Sequence, residues 1–514
     1  MKKSAITGFL LLSFTSCWFV SCTQSGKPTV EKVLRTGTKR YYALEINGQL
    51  CGFKEVMCDR VLTNRGENER LKETLHLRMN LMRKQIFTKG VIEWFYDTTM
   101  QHLVYSNISI DQGNMKIRKC LEVHGDTVRM FSSPGDQDQV IVLSPTTRFE
   151  NDLYRNYLLA EFSRDTLNPF DGLVFNEMKG TSDEKTYRWI ERDTLWLAGK
   201  PFNTIHLEES NYTSGEESDL WIDEVSGLIV QNILNTSNFK SYLADFSIMS
   251  QLTSVTMDDL LFYRVDKIIP DFRSLSRMKI RAVINSSGKV LTEASLNYPG
   301  QQFTGSVQRN VIDGVFEISQ PHYEGLNAPG FPYDHPLDSV LQKYLDPEFL
   351  IESDDPKIKN KAESILEDGP TDSWDAVKKL SHWVGTEIKG AIPGGGSAIG
   401  TLDQKAGECG GHSRLLAAFC RSVGIPARLS IGCMYVPDNG GFFGQHAWTE
   451  VYMGDAGWVP VDATIHEFDY IDSGHIRLGE STSFHPKEIE VLDWETETGK
   501  RSKASDSCID SLIH

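Results

Sequence analysis

The sequence predicts an α+β protein in which antiparallel β structure fills most of the chain and a mixed helical and β unit follows. Three observations carry this expectation. Across residues 40–262, short β-rich runs alternate with polar turns. A second β-rich stretch spans residues 278–318. After Pro356, apolar residues recur at helical spacing, and three strand-like runs follow, ending near Thr464. A length of 514 residues exceeds one ordinary core, so two or three domains are expected. The 40% hydrophobic content suits a folded chain. With 53 basic and 70 acidic residues the net charge is −17, which disfavours nucleic-acid and anionic-lipid partners that need a basic face.

The first element is an export signal. Lys2 and Lys3 precede an apolar stretch over residues 5–20, a charged n-region and h-region that is short for a membrane span. It ends Phe19-Val20-Ser21-Cys22. This resembles a bacterial lipobox, with Phe19 where Leu is usual. The resemblance implies a signal peptide over residues 1–21 and Cys22 as the lipidated first residue of the mature chain. Cleavage removes Lys2, Lys3 and no acid, which makes the charge −19. Residues 23–27 then read as a tether. The expectation is a lipoprotein of the cell envelope, periplasmic or at the cell surface, attached to the membrane through its N-terminal lipid.

Residues 22–270 read as a β-rich N-terminal domain. Residues 42–46 and 50–56 flank Asn47-Gly48, a strong hairpin signal. Residues 127–131, 140–143 and 194–197 are further short β-rich runs, and residues 219–222 and 228–233 flank a turn at 223–227. The segment LWIDEVSGLIVQ is similar to strand pairs of periplasmic open-barrel, lipoprotein-carrier-like domains. No titratable cluster here looks catalytic. Residues 271–345 form an accessory β segment with hairpin signals at Ser286-Ser287-Gly288 and Asp313-Gly314, then a linker with Pro321, Pro329, Pro332 and Pro336.

Residues 346–500 form the last domain, followed by a tail over 501–514. Ile358, Ala362, Ile365 and Leu366 mark one helix. Trp374, Val377, Leu380, Val384 and Ile388 mark a second, with Asp372 or Ser373 placed to cap it. Trp374 and Trp383 read as core. Gly394-Gly395-Gly396 is a flexible loop, since no Gly-Lys-Ser/Thr follows as in a phosphate loop.

The chemistry is concentrated between Gly407 and Glu467. Gly407-Glu408-Cys409-Gly410-Gly411 precedes a helix with apolar residues Leu415, Leu416, Phe419, Cys420 and Val423, ended by Gly424 and Pro426. Cys409 thus falls at a helix N-terminus, where unpaired N–H groups and the helix dipole favour a thiolate. Three strand-like runs follow, at residues 428–435, 447–453 and 458–464. His446 stands at the entrance of the second and Asp462 lies within the third. These two side chains share a face only when paired positions sum to an even number. A three-residue loop Asp455-Ala456-Gly457, with Gly457 left-handed, satisfies that condition, and a two-residue turn does not.

In order, GECGGHS, GIPARLSIG, QHAWTEVY and GWVPVDAT resemble the successive motifs of the transglutaminase-like superfamily, over about residues 350–475. The resemblance implies a papain-like core, with a nucleophile helix packed on an antiparallel sheet. It implies Cys409 as nucleophile, His446 as general base and acid, and Asp462 as the residue orienting His446. The expected activity is an exported cysteine hydrolase, a peptidase or amidase working through a thioester on a peptide or protein substrate, with no cofactor and no metal. Amine transfer by the same residues, and a non-catalytic binding lipoprotein, are the alternatives. Taken singly, a Cys before a helix is a small hydrophobe and a His at a strand entrance is a satisfied polar group. The ordered set argues otherwise. His412 and Cys409 lack the further ligands of a zinc site. Glu450, Trp448 and Trp458 read as supports of the sheet. Gln404 resembles the glutamine of papain-like enzymes only loosely and is left out of the catalytic set. Cys420 reads as core, and a Cys51–Cys58 pairing stays open. Oligomeric state is not legible.

Overall fold

The computed structural model describes residues 28–497 apart from positions 100–101, 114, 134–136, 163–167, 236, 266, 288–290, 393, 438–440 and 481–482. The signal segment, Cys22, the tether, Gly288 and the C-terminal tail lie outside the described residues.

Among the described residues, the expected β-rich region is a large sheet of seventeen strands between Val30 and Thr256. Its pairing is largely antiparallel between sequence neighbours. Phe239–Ala244 returns to pair with Lys39–Ile46, which joins the two halves of the meander. Ile46 pairs with Gln49, so Asn47-Gly48 is the expected two-residue turn. The expected turn at 223–227 is closed by the Gly227 N–H bonding to Asp223 O at 2.9 Å. The expected run at 194–197 is the end of a longer strand, Thr181–Leu197. Strands from both halves of the meander enclose a cavity of about 1100 Å³, lined among others by Tyr42, Trp94, Asp183 and Glu209. The helical segment 150–162 packs Leu153, Leu158 and Phe162 onto Tyr187, Leu207 and Leu220. Cys51 and Cys58 share the strand Gln49–Thr63. Seven positions along a strand is about 23 Å, too far for a disulfide.

The second sheet has four strands. They are β1 (Leu275–Ser287), β2 (Gln301–Gln308), β3 (Val311–Ile318) and a strand from near the C terminus, Ser483–Thr496. The turn signal at Asp313-Gly314 proves to be strand interior. Gln308 pairs with Val311, so the turn falls at Arg309-Asn310. Gly314 instead makes room for an aromatic ring, since a Cβ there would sit 2.7 Å from Phe303.

The last part contains helices α1 (Pro356–Ile365), α2 (Ser373–Glu387), α3 (Ala398–Gln404) and α4 (Cys409–Ser422). The strands β4 (Ala427–Val436), β5 (Phe442–Tyr452), β6 (Trp458–Val461) and β7 (His475–Gly479) follow, and Ser483–Thr496 is β8. β8 pairs along β1, and Phe262–Arg264 pairs with β5. Strand pairing therefore crosses both expected boundaries, at 270 and at 345. Asp372 caps α2 by accepting the Asp375 N–H at 2.8 Å, while the Ser373 hydroxyl donates to Gly330 O in the Pro-rich connection. α4 is buried on nearly every side. Leu415, Leu416, Ala417, Ala418 and Phe419 have no exposure and pack among Ile358, Val377, Leu380, Val384, Val451 and Val461. Such a helix takes its stability from tertiary packing. Trp374 is buried, and Trp383 packs edge-on against Phe419.

A buried ion network ties the strands around the site together. Glu450 on β5 accepts from Arg477 Nε on β7 (2.6 Å) and Arg428 Nε on β4 (2.7 Å). Arg477 also lies 3.9 Å over the Tyr298 ring. The two arginines hold the Glu450 carboxyl below the usual carboxylate range against the opposing effect of burial. Replacing Glu450 with Ala leaves only Glu480 as counter-ion, 2.9 Å from Arg428 and 3.7 Å from Arg477, so a loss of about 3 kcal/mol, the low end for a broken buried pair, is expected. Denaturant unfolding checks this, with the midpoint moving to lower urea in Glu450→Ala.

Candidate active site

Cys409 is the first residue of α4 and is half-buried. Glu408 caps the helix by accepting the Gly410 N–H through its carboxylate. Arg414 stands 3.7 Å from that carboxylate and donates to Gly396 O at 2.6 Å, which fastens the glycine loop beside the cap. The hydroxyl of Ser413 bridges the carbonyls of Cys409 (2.8 Å) and Ala447 (3.0 Å). Thr449 donates to Ser413 O at 3.1 Å. These contacts fix the first turns of α4 against β5. The loop at Gly394-Gly395-Gly396 leads into α3. This helix approaches α4 closely, because a Cβ on Gly411 would sit 2.8 Å from Thr401 Oγ1.

His446 lies in the interior of β5, not at its entrance, because the strand begins at Phe442. Asp462 directly follows β6. The expected even register is present: Tyr452 pairs with Trp458 and Thr449 with Val461. The loop is two residues longer than expected, with a 3-10 turn over Gly454–Ala456 and Gly457 at φ +71°. The parity survives this lengthening, and parity is what sets the shared face. His446 Nε2 and Asp462 Oδ2 are 2.6 Å apart. His446 is 7% exposed and Asp462 is 0% exposed. Nε2 faces Asp462, and Cys409 lies close enough to the same ring to raise its pKa. Burial disfavours the charged ring, but the Asp462 carboxylate and the thiol overcome it and raise the His446 pKa from 6.5 to about 9. Asp462 is held far below the usual carboxylate range by His446 and His475, against burial. Its other oxygen accepts the Thr464 N–H at 2.8 Å.

Sequence reasoning missed a buried group beside Asp462, formed by Glu467, Asp472 and His475. Asp462 and Glu467 make an isolated β-bridge. Glu467 accepts the Asp472 N–H at 2.9 Å, and Asp472 accepts the Gly474 N–H at 2.6 Å. Trp448 packs beside both imidazoles, stacked on His446 and edge-on to His475. The available signal was polar Asp472 and His475 bracketing a turn just before the buried strand HIRLG. Donor atoms of His446, Asp462 and His475, and of Glu467, Asp472 and His475, come within 4.8 Å of one another. Nε2 of His446 and both ring nitrogens of His475 already face oxygen atoms of the protein, contacts that a metal would have to displace.

The other singled-out residues separate from the site. His412 is buried, with its ring nitrogens 3.1 Å from the carbonyls of Glu408 and Ile388. Gln404 is exposed at the end of α3. Burial pushes the thiols of Cys420 and Cys433 up to about 12, as suits core residues. Among the described residues, no helix is long and apolar enough to cross a membrane.

Comparison with known proteins adds the family. Residues 359–463 match the Transglutaminase-like superfamily. No curated protein sequence matches the chain significantly. A candidate cysteine protease from Cytophaga hutchinsonii is similar at 16% identity and TM-score 0.30, covering 46% of this chain and 95% of its own. The periplasmic domain of TgpA from Pseudomonas aeruginosa is similar at 14% identity and TM-score 0.25, covering 40% and 90%. A β-barrel-like protein from Brucella abortus is similar at 10% identity and TM-score 0.32, covering 42% and 98%. The segment that carries Cys409, His446 and Asp462 is a transglutaminase-like domain.

Proposed function

We propose that this chain is a cysteine hydrolase that cleaves an amide bond, in a peptide or protein, through a thioester on Cys409. The observation that carries this is the 2.6 Å contact between His446 and buried Asp462, on a ring that stands near Cys409 at the start of α4. In the first step the Cys409 thiolate attacks the amide carbonyl. The tetrahedral oxyanion meets the backbone N–H of Cys409 at the helix N-terminus. His446 passes its proton to the departing nitrogen, the C–N bond breaks, and an amine leaves a thioester behind. Water then gives a proton to His446 as it attacks the thioester, which releases a carboxylic acid and restores the thiolate–imidazolium pair. Asp462 holds the ring in one orientation throughout. The reaction calls for no cofactor. The lipobox-like segment supports an exported protein held at the envelope by lipid on Cys22, with its substrate outside the cytoplasm and no nucleic-acid partner.

Cleavage of a fluorogenic peptide library is the direct assay. Cys409→Ala is expected to abolish turnover with unfolding unchanged, and an active variant contradicts the reading. His446→Ala is expected to lose about 10²–10⁴-fold in kcat/KM. A labelled amine offered with a glutamine-bearing protein is expected to remain unincorporated, whereas incorporation assigns amine transfer instead.

The pH profile follows from the raised His446 pKa. The protonated ring is the acid that the leaving nitrogen requires, so activity is expected to fall as pH rises through about 9. Initial rates from pH 5 to 10.5 check this. A basic limb near the ordinary histidine value of about 6.5 contradicts it.

A further inference from the structure

A second imidazole sits behind Asp462, outside the reaction just described. His475 opens β7 and is wholly buried. Its Nε2 lies 3.4 Å from Asp462 Oδ2. Its Nδ1 lies 3.2 Å from the Asp472 carbonyl and 3.4 Å from Asp472 Oδ1. Carbonyl and carboxylate oxygens only accept, so both ring nitrogens donate and the ring is an imidazolium. The titratable groups facing it are Asp462, Asp472, Glu467 and His446. Burial and the neighbouring Asp472 drive the Glu467 carboxyl well above its usual range. Asp462 and Asp472 flank the buried ring from its two nitrogens.

The same carboxylate oxygen of Asp462 thus receives two rings, whose centroids are 5.7 Å apart. A carboxylate with His446 as its sole partner would bind that ring's proton more tightly. Its other oxygen would still be held by the Thr464 N–H. A second cation on the same oxygen opposes the tighter grip and adds a second anchor.

We propose that His475 is a positioning residue, which holds Asp462 in place for His446 and weakens the grip of Asp462 on the His446 proton. This rests on the triad reading above. Asp472 secures His475 from the other side, and Trp448 covers both rings.

The experiment is the pH dependence of iodoacetamide alkylation at Cys409 in the full chain, read by mass spectrometry of the Cys409 peptide. In the wild type the rate is expected to change near pH 9, where His446 loses its proton. His475→Gln keeps an N–H donor toward Asp462 and removes the charge. Its inflection is expected to move up by about one pH unit, since a cation near His446 has gone. Asp472→Asn removes the counter-ion of His475 and is expected to shift the inflection the same way. It serves as the second variant if His475→Gln does not fold. His475→Leu removes donor and charge and is expected to lower kcat on a cleaved peptide at least tenfold with KM unchanged, most of which His475→Gln restores. An inflection in His475→Gln and Asp472→Asn that coincides with the wild type overturns the proposal. A wild-type profile that coincides with that of His446→Ala overturns the Cys409–His446 pairing itself, which separates the two failures.

Discussion

The arrangement depends on one hydrogen bond, between His446 and a carboxylate with no solvent exposure, Asp462. Asp462 is wholly buried, so its charge persists only while cationic partners face it. His446 meets the same condition in reverse, since burial alone would discharge it. Each ion keeps the other charged. The pair stands near a thiol at a helix N-terminus, where negative charge is favoured.

The fold supplies that bond through constraints of position. α4 is packed on nearly every side, and the bridges through Ser413 and Thr449 tie its first turns to β5, so Cys409 has little freedom relative to His446. The even register of β5 and β6 brings Asp462 to the His446 side of the sheet. Glu450, Arg428 and Arg477 bind β4, β5 and β7 together next to the site. Gly432 lets β4 approach β7, since a Cβ there would lie 1.8 Å from Ile476 O. β7 delivers His475 to Asp462, so sheet packing and site electrostatics are one construction.

Local signals in the sequence were legible where their physics is local. Asn47-Gly48 marked its turn, Asp372 its cap, and the spacing of Trp374, Val377, Leu380 and Val384 its helix. The parity argument for His446 and Asp462 held because it depends only on the alternation of side chains, although the loop proved longer. What stayed hidden was non-local. Nothing in residues 483–496 announces that they pair with 275–287, or that 262–264 extends the sheet holding His446. Gly314 looked like a turn because a glycine that yields space to Phe303 is indistinguishable, in sequence, from one that turns the chain. His475 was missed for the same reason, since its importance lies in Asp462 and Asp472 converging on it in space.

The shared charge of His446 and Asp462 can be observed without knowing the substrate. NMR titration of histidine-labelled protein, with the His446 resonance assigned by comparison with His446→Ala, reads the proton affinity of that ring directly. The account expects a midpoint near 9 that falls when Asp462 is replaced by Asn. A midpoint near 6.5 in the wild type, unmoved in Asp462→Asn, would contradict it.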